Sequence, residues 1–426
     1  MNADTIRPII HRLSDRIVEA QSPIRILDAI KWEDSVERKF FADGCSRQPE
    51  VAAAYYPPLP YDADELRDTF RRIRDDIFKE LGEAHPASKI MLRMCNEYIQ
   101  VIGMLAARGT PDFYQISREL YGSSSDVFHS GSSTLADLGH LLDKALRNID
   151  ETAFLEKDIK DIPTDDAVLL LQNWLNQTFD GDGERVKVIK SDGIVADAAA
   201  GSDYIKLREH AKFSMRNLRL LEAHEGWVHV GTTLNGRRQP LCTFLSKGTP
   251  SDTITQEGLA VFIEVTSFRS HPGRLRSIAD RIRAIGLAEA GASFLDVFQQ
   301  LCAEGRSEKE AYGAAVRVFR GSTPSGGPFT KDLAYSKGFV LVYNFIRLAV
   351  RRGRLDRIPL LFCGKLAIED MGTISKLADA GLIELPKYLP PTMEDMSALT
   401  AWMSYSIFLN RLDLKQIDAD FAHLFD

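Results

Sequence analysis

Two histidines and the glutamate beside the first are the residues of this chain whose spacing speaks most directly of chemistry. They lie in Leu221-Glu222-Ala223-His224-Glu225-Gly226-Trp227-Val228-His229. Imidazole nitrogens and carboxylate oxygens are the donors of a catalytic zinc site, which takes three protein ligands and keeps one position open. In the common H-E-x-x-H pattern the two imidazoles are four residues apart and share one helix face. Here they are five apart. On an ideal α-helix such residues point about 140° from one another, too far round to meet at one tetrahedral ion. The helix is therefore expected to be underwound across the motif, as in a single π-helical turn, and Gly226 lowers the cost of that departure.

A third ligand must come from another element. The best candidate is Glu257, in Thr255-Gln256-Glu257-Gly258-Leu259-Ala260-Val261 at the start of a downstream helix. Glu264, seven residues on, falls on the same face and is either an alternative ligand or a partner that holds a ligand in place. Glu225 adjoins a ligand without being one, so it can take a proton from a zinc-activated water and serve as general base. A donor for the developing oxyanion completes the requirement. His11, His85, His129, His140, His210, His271 and His423 show no ligand-like spacing and are expected at the surface or at helix caps.

The elements that position these groups follow from periodicity. Leu66, Phe70, Ile73, Ile77 and Leu81 form one helical stripe, and Ile90, Met94, Tyr98 and Ile102 another. Residues 1–160 therefore read as a helical N-terminal region. Residues 161–426 read as the catalytic region. It begins with a helix capped at Thr164-Asp165-Asp166, followed by a small mixed or antiparallel sheet over about 184–207, with strands at Val186 to Val188, Ile194-Val195 and Tyr204 to Leu207. The zinc helix is expected over about 208–230 and the third-ligand helix over about 253–267, with further helices over Leu287–Ala303, Ser307–Phe319 and Thr330–Arg351. Joints are expected at Gly122 to Ser125, Gly181 to Gly183 and Arg320 to Pro328. The fold class is α+β, predominantly α-helical.

Composition narrows the partners. The 426 residues carry 53 basic and 60 acidic side chains, a net charge of −7, with the basic residues scattered along the chain. That leaves no footprint for nucleic acid or an anionic membrane. The N-terminus has no apolar signal core, and the most apolar stretch, Gly338 to Val350, falls short of the ~20 residues a bilayer needs. Five cysteines, none in a C-x-x-C pair, argue against thiolate zinc and a disulfide framework. The chain is expected in the cytoplasm.

Several separated blocks share an order that carries a resemblance: His224-Glu225-x-x-x-His229, Asn235-Gly236, Arg238-Gln239-Pro240, Gln256-Glu257-Gly258-Leu259-Ala260, Phe329-Thr330-Lys331-Asp332 and Phe362-Cys363-Gly364-Lys365. The chain resembles the QEGLA-motif family, whose bacterial members carry the label flavohemoglobin expression-modulating protein and whose animal members are the microtubule-associated tyrosine carboxypeptidases. The resemblance implies a gluzincin-like zinc-metallopeptidase core that removes one C-terminal residue, tyrosine in the animal members. It implies His224, His229 and Glu257 as Zn2+ ligands and Glu225 as the base, with a peptide or protein C-terminus as substrate.

A carboxypeptidase must pair the terminal carboxylate with a cation, preferably arginine. Arg238 and Lys331, within the shared blocks, are the favoured candidates, with Arg320 a third. Tyr335, one turn beyond Lys331, is the candidate for oxyanion stabilisation or substrate contact. Two other readings stay open: a zinc amidohydrolase of different specificity, and a regulatory protein with structural zinc.

Overall fold

A computed structural model describes residues 3–128, 132–147, 149, 159–179, 185–192, 194 and 196–424, and in it the apolar stripes of the N-terminal part become helices. These are α1 (Ala3–Gln21), the single turn α2 (Ile26–Ala29), α3 (Asp34–Ala42), α4 (Ala63–Leu81), α5 (Pro86–Ala106), α6 (Pro111–Tyr121) and α7 (Leu135–Arg147). Local signals fix their starts. The Asp62 carboxylate accepts from the Asp64 and Glu65 N–H groups at the head of α4. The His85 ring accepts from Ala87 N–H ahead of α5, whose first residue is Pro86.

The sheet is small and mixed, as expected. After β1 (Ile162–Pro163) and α8 (Thr164–Phe179) come β2 (Lys187–Ser191), β3 (Ala198–Ala200), β4 (Tyr204–Arg208) and β5 (Lys212–Phe213). β4 is central, parallel to β2 and antiparallel to β3, with Ile205 opposite both Val188 and Ala200. Alternation buries Ile205 and Leu207 against Leu171 and Leu175 of α8. β1 and β5 form a separate antiparallel pair. The third strand is Ala198–Ala200 rather than Ile194-Val195. Ile194 is in no strand, and Val195, like the expected joint at Gly181 to Gly183, lies outside the described residues. Three alanines have no apolar alternation, so periodicity passes over them.

The helix expected over about 208–230 starts later and ends later. Lys212–Phe213 is strand, and Ser214 opens the helix through a capping box with Asn217. One continuous helical run follows: α9 (Met215–Leu221), a π-helical segment (Glu222–Val230) and α10 (Gly231–Arg237). α11 (Pro250–Thr266) carries Glu257 and starts from a Thr249–Asp252 capping box. α12 (Pro272–Glu289), α13 (Phe294–Ala303), α14 (Glu308–Phe319) and α15 (Ala334–Arg351) come next. The expected single helix over Leu287–Ala303 is two. Gly291 takes a left-handed φ of 100°, and Ser293 then caps α13.

α11 and α15 cross almost backbone on backbone. A Cβ built on Gly258 would lie 1.9 Å from the Gly338 carbonyl carbon. Around this crossing, one apolar core joins Phe70, Ile90 and Met94 of the N-terminal helices to Leu259, Phe262 and Ile263 of α11 and to Val342 and Ile346 of α15. With its preceding turn, α15 spans Thr330–Arg351 and is long and apolar enough to cross a bilayer, unlike the shorter stretch read from the sequence. Length and composition of this kind belong equally to a core helix, and the packing on α11 supplies that explanation.

Candidate metal centre

A π-helical turn closes its hydrogen bond between residues five apart, so side chains at that separation stack one above the other. That is the arrangement of the motif: the Nε2 atoms of His224 and His229 are 3.2 Å apart. Gly226 has a different use from the one expected. It does not take a positive φ, but a Cβ there would lie 2.5 Å from Leu175 Cδ2, so its smallness lets α8 lie against the π segment.

Glu257 completes the group from α11. Its Oε2 is 3.4 Å from His224 Nε2 and 3.6 Å from His229 Nε2. These three residues can hold a metal ion, their donor atoms all lying within 4.8 Å of one another. The other carboxylate oxygen is engaged: Lys331 Nζ donates to Oε1 at 2.7 Å. Oε2 is buried and has no hydrogen-bond partner among the described residues. A buried carboxylate oxygen left this way calls for a cation.

Glu264 is fully buried and holds His224 rather than joining the donor set. His224 Nδ1–H donates to Glu264 Oε1 at 2.6 Å, and Arg274 donates to both oxygens of Glu264, at 2.8 and 3.1 Å. With Nδ1 as donor, the Nε2 lone pair is the one left to face Glu257. Burial pulls the His224 pKa down, yet Glu257 and Glu264 outweigh it and raise it to about 10. The surroundings of His224 thus favour positive charge. Burial acts upward on Glu264, but Arg274 and His224 win and lower it to about 2.

Glu225 sits beside the edge strand, its Oε2 accepting from the Ala200 N–H at 2.9 Å. Tyr335 is buried and stacks on His224, with centroids 6.2 Å apart and planes inclined at 22°. Of the three cations expected at the substrate, Lys331 is paired with the Glu257 carboxylate. Arg320 is buried, 3.9 Å from Asp332 Oδ1. Arg238 is exposed at the end of α10, roughly two and a half turns past His229.

Sequence reasoning missed four residues here. Arg274 and Arg281, seven apart on α12, both lie over the Tyr335 ring, their guanidinium carbons 5.7 and 4.3 Å from its centroid. Arg317, at the end of α14, donates to Asp332 Oδ2 at 2.7 Å. The i, i+7 spacing of Arg274 and Arg281 and the i, i+3 spacing of Arg317 and Arg320 are the signals that mark these faces. Lys365, the last residue of the Phe362-Cys363-Gly364-Lys365 block, is the fourth. Burial, and then Lys247, lower its pKa, and Glu257, Asp252 and Glu225 contribute in the opposite sense.

A family model described as microtubule-associated tyrosine carboxypeptidase matches residues 38–411, most of the chain. No curated protein matches.

Proposed function

The chain belongs to the microtubule-associated tyrosine carboxypeptidase family, and from that premise we propose that it is a zinc-dependent carboxypeptidase. It hydrolyses the last peptide bond of a peptide or protein, with a C-terminal tyrosine as the leaving residue. The observation that carries the reading is the spacing of the three donors. A tetrahedral ion with bonds of about 2.05 Å needs its ligand atoms about 3.3 Å apart. The separations here are 3.2, 3.4 and 3.6 Å. Two imidazoles, a carboxylate with an unpartnered oxygen and no cysteine form a catalytic rather than a structural donor set.

Each side chain then has a task. His224, His229 and Glu257 would hold the ion, Glu264 fixes the His224 tautomer, and Lys331 occupies Glu257 Oε1 so that Oε2 would remain for the metal. Zinc supplies Lewis acidity when bound, polarising a carbonyl and acidifying water. Glu225 takes the proton of the attacking water on its free oxygen and passes it to the departing amine, while the Ala200 N–H keeps its carboxylate in place. Tyr335, stacked on His224, donates to the oxygen on which charge develops. All five cysteines are free thiols, which supports action in the reducing cytoplasm.

The test is metal analysis of the purified protein together with mass spectrometry of a peptide library digested by wild type and by Glu225→Gln. Zinc near one per chain, loss of a single C-terminal residue and a fall in kcat of about 10²- to 10⁴-fold in the variant are expected. Absence of zinc with equal activity of both proteins sinks the proposal, and release of some other group points to a different amidohydrolase.

A further inference from the structure

Asp332 is a single buried carboxylate facing three arginines, the part-buried Arg281 of α12 and, from the end of α14, the part-buried Arg317 and the buried Arg320. Arg317 satisfies one of its oxygens, donating from Nε at 2.7 Å. Arg281 Nε and Arg320 Nη2 stand 3.9 Å away, beyond hydrogen-bond reach. Three buried polar atoms are left without a hydrogen-bond partner among the described residues: Arg281 Nη1, Arg320 Nε and Asp332 Oδ1. Positive charge exceeds negative in a site with little water to screen it, which is costly unless an anion joins it. The cost shows on the arginines themselves. Burial, and next the neighbouring Arg317, lower the pKa of Arg320 to about 10 and push Arg281 in the same direction.

Position agrees with charge. Arg281 lies 4.3 Å from the centroid of Tyr335, whose ring stacks on the metal-binding His224. One terminal residue advances a peptide backbone by about 3.8 Å. A group that measures off one residue from the reacting bond must therefore stand about one side chain away from the ligands, and Arg281, packed on the ring that stacks on His224, is such a group. Lys331 and Arg274, the other nearby cations, are already engaged by Glu257 and Glu264.

We propose that Arg281 and Arg320 bind the α-carboxylate of the substrate's C-terminal residue, with Arg317 and Asp332 holding the pair in place and Tyr335 packed against both Arg281 and His224. This rests on the carboxypeptidase reading above and supplies its selectivity for a free C-terminus. A guanidinium fork receives a carboxylate through paired hydrogen bonds, and an amide terminus offers no matching charge. Asp332 has a positioning role, because it pairs with the arginines and repels the substrate's own carboxylate.

Calorimetric binding of N-acetyl-L-tyrosine and of N-acetyl-L-tyrosinamide to the zinc-loaded full chain tests this. Wild type is expected to prefer the acid by about tenfold or more, the range for charge-assisted hydrogen bonds. Arg281→Gln and Arg320→Gln each remove most of that preference, Arg281→Lys restores part of it, and Lys309→Gln, exposed on α14, leaves it intact. An acid preference that survives both glutamine variants means that another group, the zinc included, holds the carboxylate, and overturns the proposal. Equal weakening of acid and amide, with a lowered unfolding temperature, assigns the arginines a structural role and overturns it too. Peptide cleavage is measured on the same preparations. Failure of wild type to release a C-terminal residue counts against the carboxypeptidase reading, whereas normal release with unchanged acid preference in the variants counts against the anchor alone.

Discussion

Replacing Gly258 by alanine isolates what the glycine next to Glu257, the proposed third metal ligand, contributes. Its Cβ would lie 1.9 Å from the carbonyl carbon and 2.3 Å from the Cα of Gly338 on α15. Non-bonded carbons settle at about 3.5 Å, so α11 and α15 must part by about 1.5 Å at the crossing. Neither partner can give way by turning a side chain, because both contact surfaces are backbone. Functional groups tolerate displacements of only about 0.5 Å, and Glu257 is the adjoining residue. Gly258→Ala is therefore expected to cost about 1–3 kcal/mol of stability, as other overpacking does. It should also cost on the order of 10- to 100-fold in zinc affinity, the range for losing a group that positions a ligand. Stability is read from the urea midpoint at unchanged slope, and affinity from competition with a chromophoric chelator. Gly313→Ala supplies the control: Gly313 lies within α14 with nothing within 4 Å of where an alanine methyl would stand, so alanine there gains about 0.5–1 kcal/mol of helix propensity. The two substitutions should thus differ in sign. A Gly258→Ala protein with the wild-type midpoint and zinc affinity would refute the idea that this crossing sets the ligand.

Three further outcomes follow from the same geometry. Glu264→Gln should lower zinc affinity by about 10- to 100-fold, since it weakens the acceptor that fixes His224 and leaves the part-buried Arg274 without its carboxylate, as chelator competition will show. Zinc binding near pH 7.5 should expel about one proton. The His224 pKa, raised to about 10, keeps the ring charged in the metal-free protein, and the metal takes the neutral form. Apparent affinity should then climb with pH up to that value and level off above it, and calorimetry in buffers of different ionisation enthalpy counts the proton; no release would contradict the charge state assigned to His224. Asn235→Ala should cost about 3 kcal/mol or more: its side chain donates to the Phe362 and Tyr388 carbonyls and accepts from the Lys387 and Tyr388 N–H groups, all of which lose a buried partner. A midpoint shift equivalent to under 1 kcal/mol would show that water takes over these bonds.

The motif blocks divide into chemistry and architecture only once they are folded. His224, Glu225, His229 and Glu257 are legible as chemistry because donor type and spacing are local facts. Asn235-Gly236 and Cys363-Gly364 travel with them for another reason. Cβ atoms on Gly236 and Gly364 would lie 2.3 and 2.6 Å from the Leu245 carbonyl oxygen, so both glycines admit that one strand of backbone between them. Gln239 likewise ties the Cys363 and Glu384 carbonyls and the Glu384 N–H to the end of α10. His85 and His271, expected at caps or on the surface, do cap α5 and α12, while His129 lies outside the described residues. Helix starts could be read where a capping residue met an apolar stripe. The late start of α9 could not, because Arg208 to Phe213 has apolar residues compatible with either a helix or a strand.

By itself the sequence determined the donor set and the backbone it demands. Two imidazoles five residues apart cannot converge on an α-helix, so the π-helical segment over Glu222–Val230 was implicit in the spacing. Only the tertiary structure decided the charge around those donors. Basic residues that read as scattered along the chain converge from α12, α14 and the turn before α15, with Arg274 on Glu264, Lys331 on Glu257, and Arg281, Arg317 and Arg320 around Asp332. No local periodicity encodes that convergence, because it depends on which helix faces meet. The Gly258–Gly338 contact brings α11 and α15 together, and burial at their crossing turns ordinary surface charges into a strong, unscreened field.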